Sequence, residues 1–210
     1  MPLILTHIKK YFGDHLIIDV DHFQFDNGAY WIQGSNGAGK TTLLKTIAGM
    51  LPFEGEVAWK DYYLKKQRRN YLQQVSYAAA EPLYPEFISG KELIDFYSES
   101  RNADTDQVKT LLSITGVGNF ADGKVGTYSS GMVKKLSIML AFVGNPSVLL
   151  LDEPLITIDK ESVHFIYDLM HEFLNKQQGV LLFTSHQTPI ETDLPGLKKV
   201  NLVNGNLIEE

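Results

Sequence analysis

Residues Gly34-Ser35-Asn36-Gly37-Ala38-Gly39-Lys40-Thr41 fit the pattern Gly-x-x-x-x-Gly-Lys-Ser/Thr. They lie between an apolar run, Ala29 to Gln33, and a helical pattern running toward Gly49. That order constrains the fold to a strand, a tight loop and a helix in succession. The glycines let backbone N–H groups turn inward as an anion nest, and the helix N-terminus adds the positive end of its dipole. Lys40 is then placed to reach the terminal phosphates of a nucleotide, and Thr41 to offer its hydroxyl to Mg2+, with Thr42 beside it in the first helical turn. Average composition produces such a match by chance in on the order of one chain in a hundred of this length. The flanking strand and helix make chance a poor explanation.

Other apolar runs fit the same architecture. Leu3 to Ile8, Val75 to Ala78, Val148 to Leu151 and Val180 to Thr184 alternate with helical patterns, which predicts an α/β domain with a largely parallel sheet. Val148 to Leu151 and Val180 to Phe183 are continuously apolar, as in central strands covered on both faces. Asp152-Glu153-Pro154 follows the first of these, so two carboxylates stand at a strand end, where open α/β sheets bind ligands. Asp152 is expected to hold Mg2+ through water, and Glu153 to orient or deprotonate an attacking water. Ser185-His186 follows the second run, bringing an imidazole within reach of the γ-phosphate or that water. Alone, an acidic pair after a strand is more often the start of a loop, and a strand-end histidine a structural residue. The phosphate loop changes that balance.

From about Tyr84 to Asn145 the chain reads as helical segments broken by Gly90, Gly116, Gly118, Gly123 and Gly126, a helical subdomain inserted into the core. Val163, Ile166, Met170 and Phe173 predict a helix after Lys160, with Asp159 as its N-cap. Val200 to Val203 and Leu207 to Glu209 flank Asn204-Gly205-Asn206 and predict a terminal hairpin. One domain of 210 residues is expected. A formal charge of −6 opposes a general nucleic-acid binder, and the basic stretch Lys65 to Arg69 reads as a solvated face. Cysteine is absent, which excludes disulfides, thiolate zinc sites and cysteine nucleophiles. The N-terminal Leu3 to Leu5 is far short of a secretory apolar region, and no run approaches the roughly 20 residues that span a bilayer. A membrane role would have to come through a partner.

With Tyr128-Ser129-Ser130-Gly131-Met132 between the phosphate loop and Asp152-Glu153-Pro154, and His186 after both, almost the whole chain resembles the ABC ATPases. The Tyr-Ser-x-Gly-Met form followed by Lys134-Lys135, and Leu83-Tyr84-Pro85-Glu86 ahead of Ser89 to Leu93, are similar to bacterial ABC-2-type exporter subunits. The resemblance implies a P-loop, RecA-like core with an antiparallel β part and an inserted helical subdomain. It also implies a signature loop at Ser129 and Gly131 that faces the γ-phosphate of ATP held by a second subunit. Tyr11 matches the aromatic residue that stacks on adenine, and Thr157-Ile158-Asp159 the D-loop. The signature departs from Leu-Ser-Gly-Gly-Gln at Tyr128, Ser130 and Met132. Ala80 stands where the Q-loop glutamine belongs, which raises the question whether Glu81 replaces it.

These readings converge on an ATP- and Mg2+-dependent ATPase subunit. It would dimerise with itself or a paired ATPase, act on a separate transmembrane permease, serve export, bind no nucleic acid, and sit on the cytoplasmic face of the cell membrane. Two alternatives stay open. A soluble ABC-type mechanical switch shares every motif, and a small-molecule kinase explains Lys40 and Thr41 but leaves Tyr128 to Met132 without purpose.

Overall fold

The computed structural model describes residues 2–158, 160–186, 188–189 and 194–210. Among them ten strands form two sheets. The smaller sheet is antiparallel, in the order β2 (His15–Phe25), β1 (Leu3–Phe12), β4 (Glu54–Trp59), β5 (Tyr62–Tyr63). The larger runs β10 (Asn206–Glu209), β9 (Lys198–Val203), β3 (Gly28–Gln33), β8 (Val180–Thr184), β7 (Val148–Leu151), β6 (Val75–Ala78). All its neighbours are parallel except the β9–β10 hairpin at one edge. The turn of that hairpin holds Asn204 and Gly205 at φ 49° and 81°, the left-handed pair a two-residue turn needs.

Three predicted strands, β6, β7 and β8, have the expected limits, and the apolar runs explain why. Val148 and Leu150 join a core shared with the antiparallel sheet and α1 (Lys40–Ile47). Leu149 and Leu151 face the opposite side, against α5 (Ser130–Phe142) and α6 (Lys160–Gln177). A strand covered on both faces has no solvent side, so its pattern is unbroken. β1 continues four residues beyond the predicted Ile8, through Lys9 and Lys10. Lys10 is buried, and its ammonium stands over the Phe12 ring, 4.6 Å from the centroid. β2 and β4 were no part of the strand pattern read from the apolar runs. Their partly polar outer faces dilute the signal, and Ile18, Val20, Val57 and Trp59 supply the buried one.

Between β6 and β7 the chain is helical: α3 (Gly90–Arg101), α4 (Thr105–Thr115), two short 3-10 turns and α5. α3 starts on a capping box in which Ser89 accepts from the Glu92 N–H while Glu92 accepts from the Ser89 N–H at 2.7 Å. Before β6, α2 (Arg68–Gln74) carries part of the basic stretch. Arg68 donates to the Gly49 carbonyl, and Lys65 lies over the Phe53 ring, so part of that stretch braces the surface. The predicted N-cap Asp159 lies outside the described residues.

Candidate active site

Because β3, β8 and β7 pair in parallel, their C-terminal ends open on one edge of the sheet. β3 delivers the loop Gly34 to Gly39, β7 delivers Asp152 and Glu153, and β8 delivers Ser185 and His186.

In the loop, the single internal backbone hydrogen bond among the described residues runs from the Ala38 N–H to the Ser35 carbonyl, 3.1 Å. Gly39 is the N-cap of α1 at φ 102°, offers no side chain to cap it, and no acidic residue occupies the first turn. The N–H groups at the start of α1 therefore lack the protein partner that helix termini require, which fits an anion. A side chain at Gly39 is excluded twice, by its left-handed φ and by Ile17, whose Cγ2 would stand 2.8 Å from a Cβ. Lys40 is 9% exposed and folds its ammonium onto the carbonyls of Gly34, 2.8 Å, and Ser35, 3.3 Å. Ser35, Asn36, Gly37 and Thr41 face solvent, while Ala38 and Thr42 are half-buried.

A cleft of about 660 Å³ extends from Gly34, Ser35, Gly37 and Ala38 to Leu16, Ile17 and the β9–β10 turn. Tyr11 pairs with Leu16 across the β1–β2 hairpin, so it stands beside this cleft. Sequence reasoning passed over its neighbour Phe12, whose ring is half exposed and lies under Lys10.

The carboxylates are buried, Asp152 at 1% exposure and Glu153 at 7%. Asp152 accepts at Oδ1 from the Thr184 hydroxyl, 2.8 Å, and at Oδ2 from the Tyr77 hydroxyl, 3.2 Å. Burial and the Asp152 charge together hold the Tyr77 phenol well above its ordinary value, so it stays a donor. Glu153 takes φ 46°, a left-handed conformation that costs a non-glycine residue about 1–3 kcal/mol. Its Oε2 accepts from the His186 N–H at 3.1 Å, and His186 Nε2 stands 3.5 Å from Oε1. Oε1 is buried without a hydrogen-bond partner, its nearest polar neighbour being the His186 imidazole. Thr184, Tyr77 and Lys134 complete the group; Lys134 stands in the basic pair after the signature, but the sequence assigned none of the three to the site. Burial drives the Lys134 ammonium down to about 8, against the opposing pull of Asp152, Glu153 and Glu81.

Ser129 is the N-cap of α5, accepting from the Met132 N–H at 3.2 Å. No hydrogen bond or ion pair among the described residues joins Ser129 or Gly131 to the phosphate loop of the same chain. A Cβ on Gly131 would stand 3.1 Å from the Thr157 carbonyl, a tight contact that would require that loop to give by a few tenths of an ångström. The Tyr128 hydroxyl accepts from the Gly90 N–H and has one proton to donate, with the Phe120 carbonyl at 2.8 Å and the Gly123 carbonyl at 2.9 Å both in reach, which explains a tyrosine at the head of the signature.

Residues 20–156 match the ABC transporter family. The chain belongs to the ABC transporter family. It is 31% identical over 205 residues to the cytochrome c biogenesis ATP-binding export protein CcmA of Haemophilus influenzae, covering 95% of this chain and 94% of that one. It is 32% identical over 189 residues to the Nod factor export ATP-binding protein I of Burkholderia lata, covering 87% of this chain. The match spans 62% of the length of that second relative. Among solved structures, an ATP-binding subunit of an ABC transporter superposes over 100% of this chain and 90% of its own, with TM-score 0.89 and 23% identity. A cobalt-transport ATP-binding protein follows with TM-score 0.81 at 23% identity, covering 98% of this chain and 78% of its own. The ABC fold of these neighbours is the P-loop core with antiparallel part and helical insert described above.

Proposed function

We propose that this ABC chain binds and hydrolyses ATP to drive a separate membrane permease in export. The observation that carries the proposal is the meeting of an uncapped, glycine-turned α1 N-terminus with a buried Asp152–Glu153 pair and His186 on one sheet edge. Loop amides and Lys40 would hold the β- and γ-phosphates, and His186 the γ-phosphate. Glu153 would take a proton from the attacking water while His186 keeps that water in place, so phosphate leaves without a covalent intermediate. Thr41 and Asp152 fit Mg2+: one exposed hydroxyl and one carboxylate with spare lone pairs suit an ion that keeps its waters and the phosphates as its other ligands. Bound there, Mg2+ would neutralise phosphate charge.

Export as the task is supported by the names of both relatives. Among the described residues no helix is long and apolar enough to cross a membrane. Leu83, Phe87 and Phe96 are 93%, 76% and 66% exposed between Glu81 and the middle of α3. Apolar side chains so placed beside the Ala79 to Glu81 segment support that stretch as the face presented to the permease.

Phosphate release from ATP with Mg2+ tests the assignment. Wild-type protein should release phosphate without forming a phosphorylated product, and Lys40→Ala should lower the rate by roughly 10²-fold or more through loss of charge stabilisation. Unchanged turnover in that variant would remove the phosphate-loop assignment, and a phosphorylated acceptor would favour a kinase.

A further inference from the structure

Lys134 begins the second turn of α5 and is 1% exposed. Its ammonium donates to three carbonyls, Ala79 at 2.8 Å, Ala80 at 3.0 Å and Asp152 at 3.0 Å. A lysine has three N–H donors, so all are committed to backbone. Ala79 and Ala80 follow the end of β6, and Asp152 the end of β7. One side chain from the signature helix thus grips the chain beyond two adjacent parallel strands. Packing alone does not account for it, because burying an ammonium costs several kcal/mol in desolvation where a methionine or leucine would cost nothing.

The grip on Asp152 has a particular geometry. The peptide joining Asp152 to Glu153 is held at both ends, its carbonyl by the Lys134 ammonium and its N–H by the Thr184 hydroxyl at 2.9 Å. The next torsion along the chain is the left-handed φ of Glu153. A clamped peptide plane leaves Glu153 little freedom to relax into an ordinary conformation, and relaxation would swing its carboxylate away from His186. We infer that Lys134 is a positioning residue for hydrolysis: its ammonium holds the Asp152–Glu153 peptide so that the Glu153 carboxylate faces the attacking water. The same ammonium ties that geometry to α5, whose N-cap is Ser129, and to Ala80, whose methyl group cannot reach the site itself. A shift of α5 against the sheet would therefore move the carboxylate. The inference rests on the reading of Glu153 as the base.

The test is a cycle of full-length variants, Lys134→Met, Lys134→Arg, Glu153→Gln and the double variant Lys134→Met with Glu153→Gln. Single-turnover hydrolysis of ATP with Mg2+, ATP affinity by calorimetry and thermal melting are measured for each. Lys134→Met should lower the hydrolysis rate by about 10-fold or more with ATP affinity within about twofold of wild type. Lys134→Arg, which keeps cation and donors, should recover most of the rate. In the Glu153→Gln background Lys134→Met should have no further effect, since the carboxylate it aims is gone. Where Lys134→Met does not fold, Lys134→Gln is measured in its place: its uncharged amide has two N–H donors for three carbonyls, so its rate should fall below that of Lys134→Arg, and a rate equal to wild type would overturn the role. Equal rate losses in both backgrounds, a parallel loss of rate and ATP affinity, or wild-type hydrolysis in Lys134→Met would overturn the positioning role. Unchanged hydrolysis in Glu153→Gln alone is a different result: it removes the base, and this inference with it.

Discussion

Glu153 combines burial, a left-handed backbone and a carboxylate oxygen without a partner. Each of these opposes stability, and together they support the proposal that the side chain serves the reaction. Glu153→Gln keeps shape and most hydrogen bonding but loses the base, so hydrolysis should fall by roughly 10²-fold or more while ATP affinity stays near wild type. Asp152→Asn should differ, lowering Mg2+-dependent binding and hydrolysis together, because that carboxylate is fixed by Thr184 and Tyr77 rather than by the water site. Parallel calorimetry and phosphate-release assays separate the two patterns. A second residue-scale question concerns adenine. Tyr11 and Phe12 are both partly exposed at the end of β1, but Phe12 shares a strand face with Lys10. If Tyr11 carries the stacking, Tyr11→Ala should weaken ATP binding by about 1–2 kcal/mol and Phe12→Ala by much less. The reverse order would move the role to Phe12. The motif residues were legible in the sequence because their spacing is fixed by chemistry along a short stretch. The contacts of Thr184, Tyr77 and Lys134 with Asp152 were not, since that partner is 32, 75 and 18 positions away.

At the scale of elements, α1 and α3 start in opposite ways. α1 begins on a glycine with no capping side chain and no acidic residue, which leaves its N–H groups to an anion. α3 begins on a closed capping box. The N–H and hydroxyl of Ser89 hold the Glu92 carboxyl below its ordinary value, so the contribution of the ionised Glu92 is fully present above the unfolded value and is lost as pH falls through the lower folded one. The melting-temperature advantage of wild type over Glu92→Ala should accordingly be complete near about pH 6 and shrink below about pH 4. An advantage independent of pH would show that Glu92 supports α3 through packing instead. Ser129 is the intermediate case, a working N-cap for α5 that remains exposed and thus available to a second nucleotide.

For the whole molecule, among the described residues no hydrogen bond joins Ser129 or Gly131 to the phosphate loop of the same chain, which is compatible with their serving ATP held by a partner. A second copy related by two-fold symmetry would bring its own Ser129 to this chain's ATP and close the assembly in the same step. Light scattering of the Glu153→Gln variant should report a dimer with ATP and Mg2+ and a smaller species without them. A monomer at every protein concentration would instead point to a different ATPase chain as the partner. The sequence by itself determined the parallel core, the phosphate loop, the carboxylate pair and the terminal hairpin, because each is written in neighbouring residues as an apolar period or a turn chemistry. Only the tertiary structure decided that Lys10 is a buried lysine, that β2 and β4 form a second sheet, and that one ammonium on α5 joins the ends of β6 and β7. Those outcomes depend on which distant backbone atoms meet a side chain after folding. A burial cost is repaid only by such long-range contacts, and no local pattern records them.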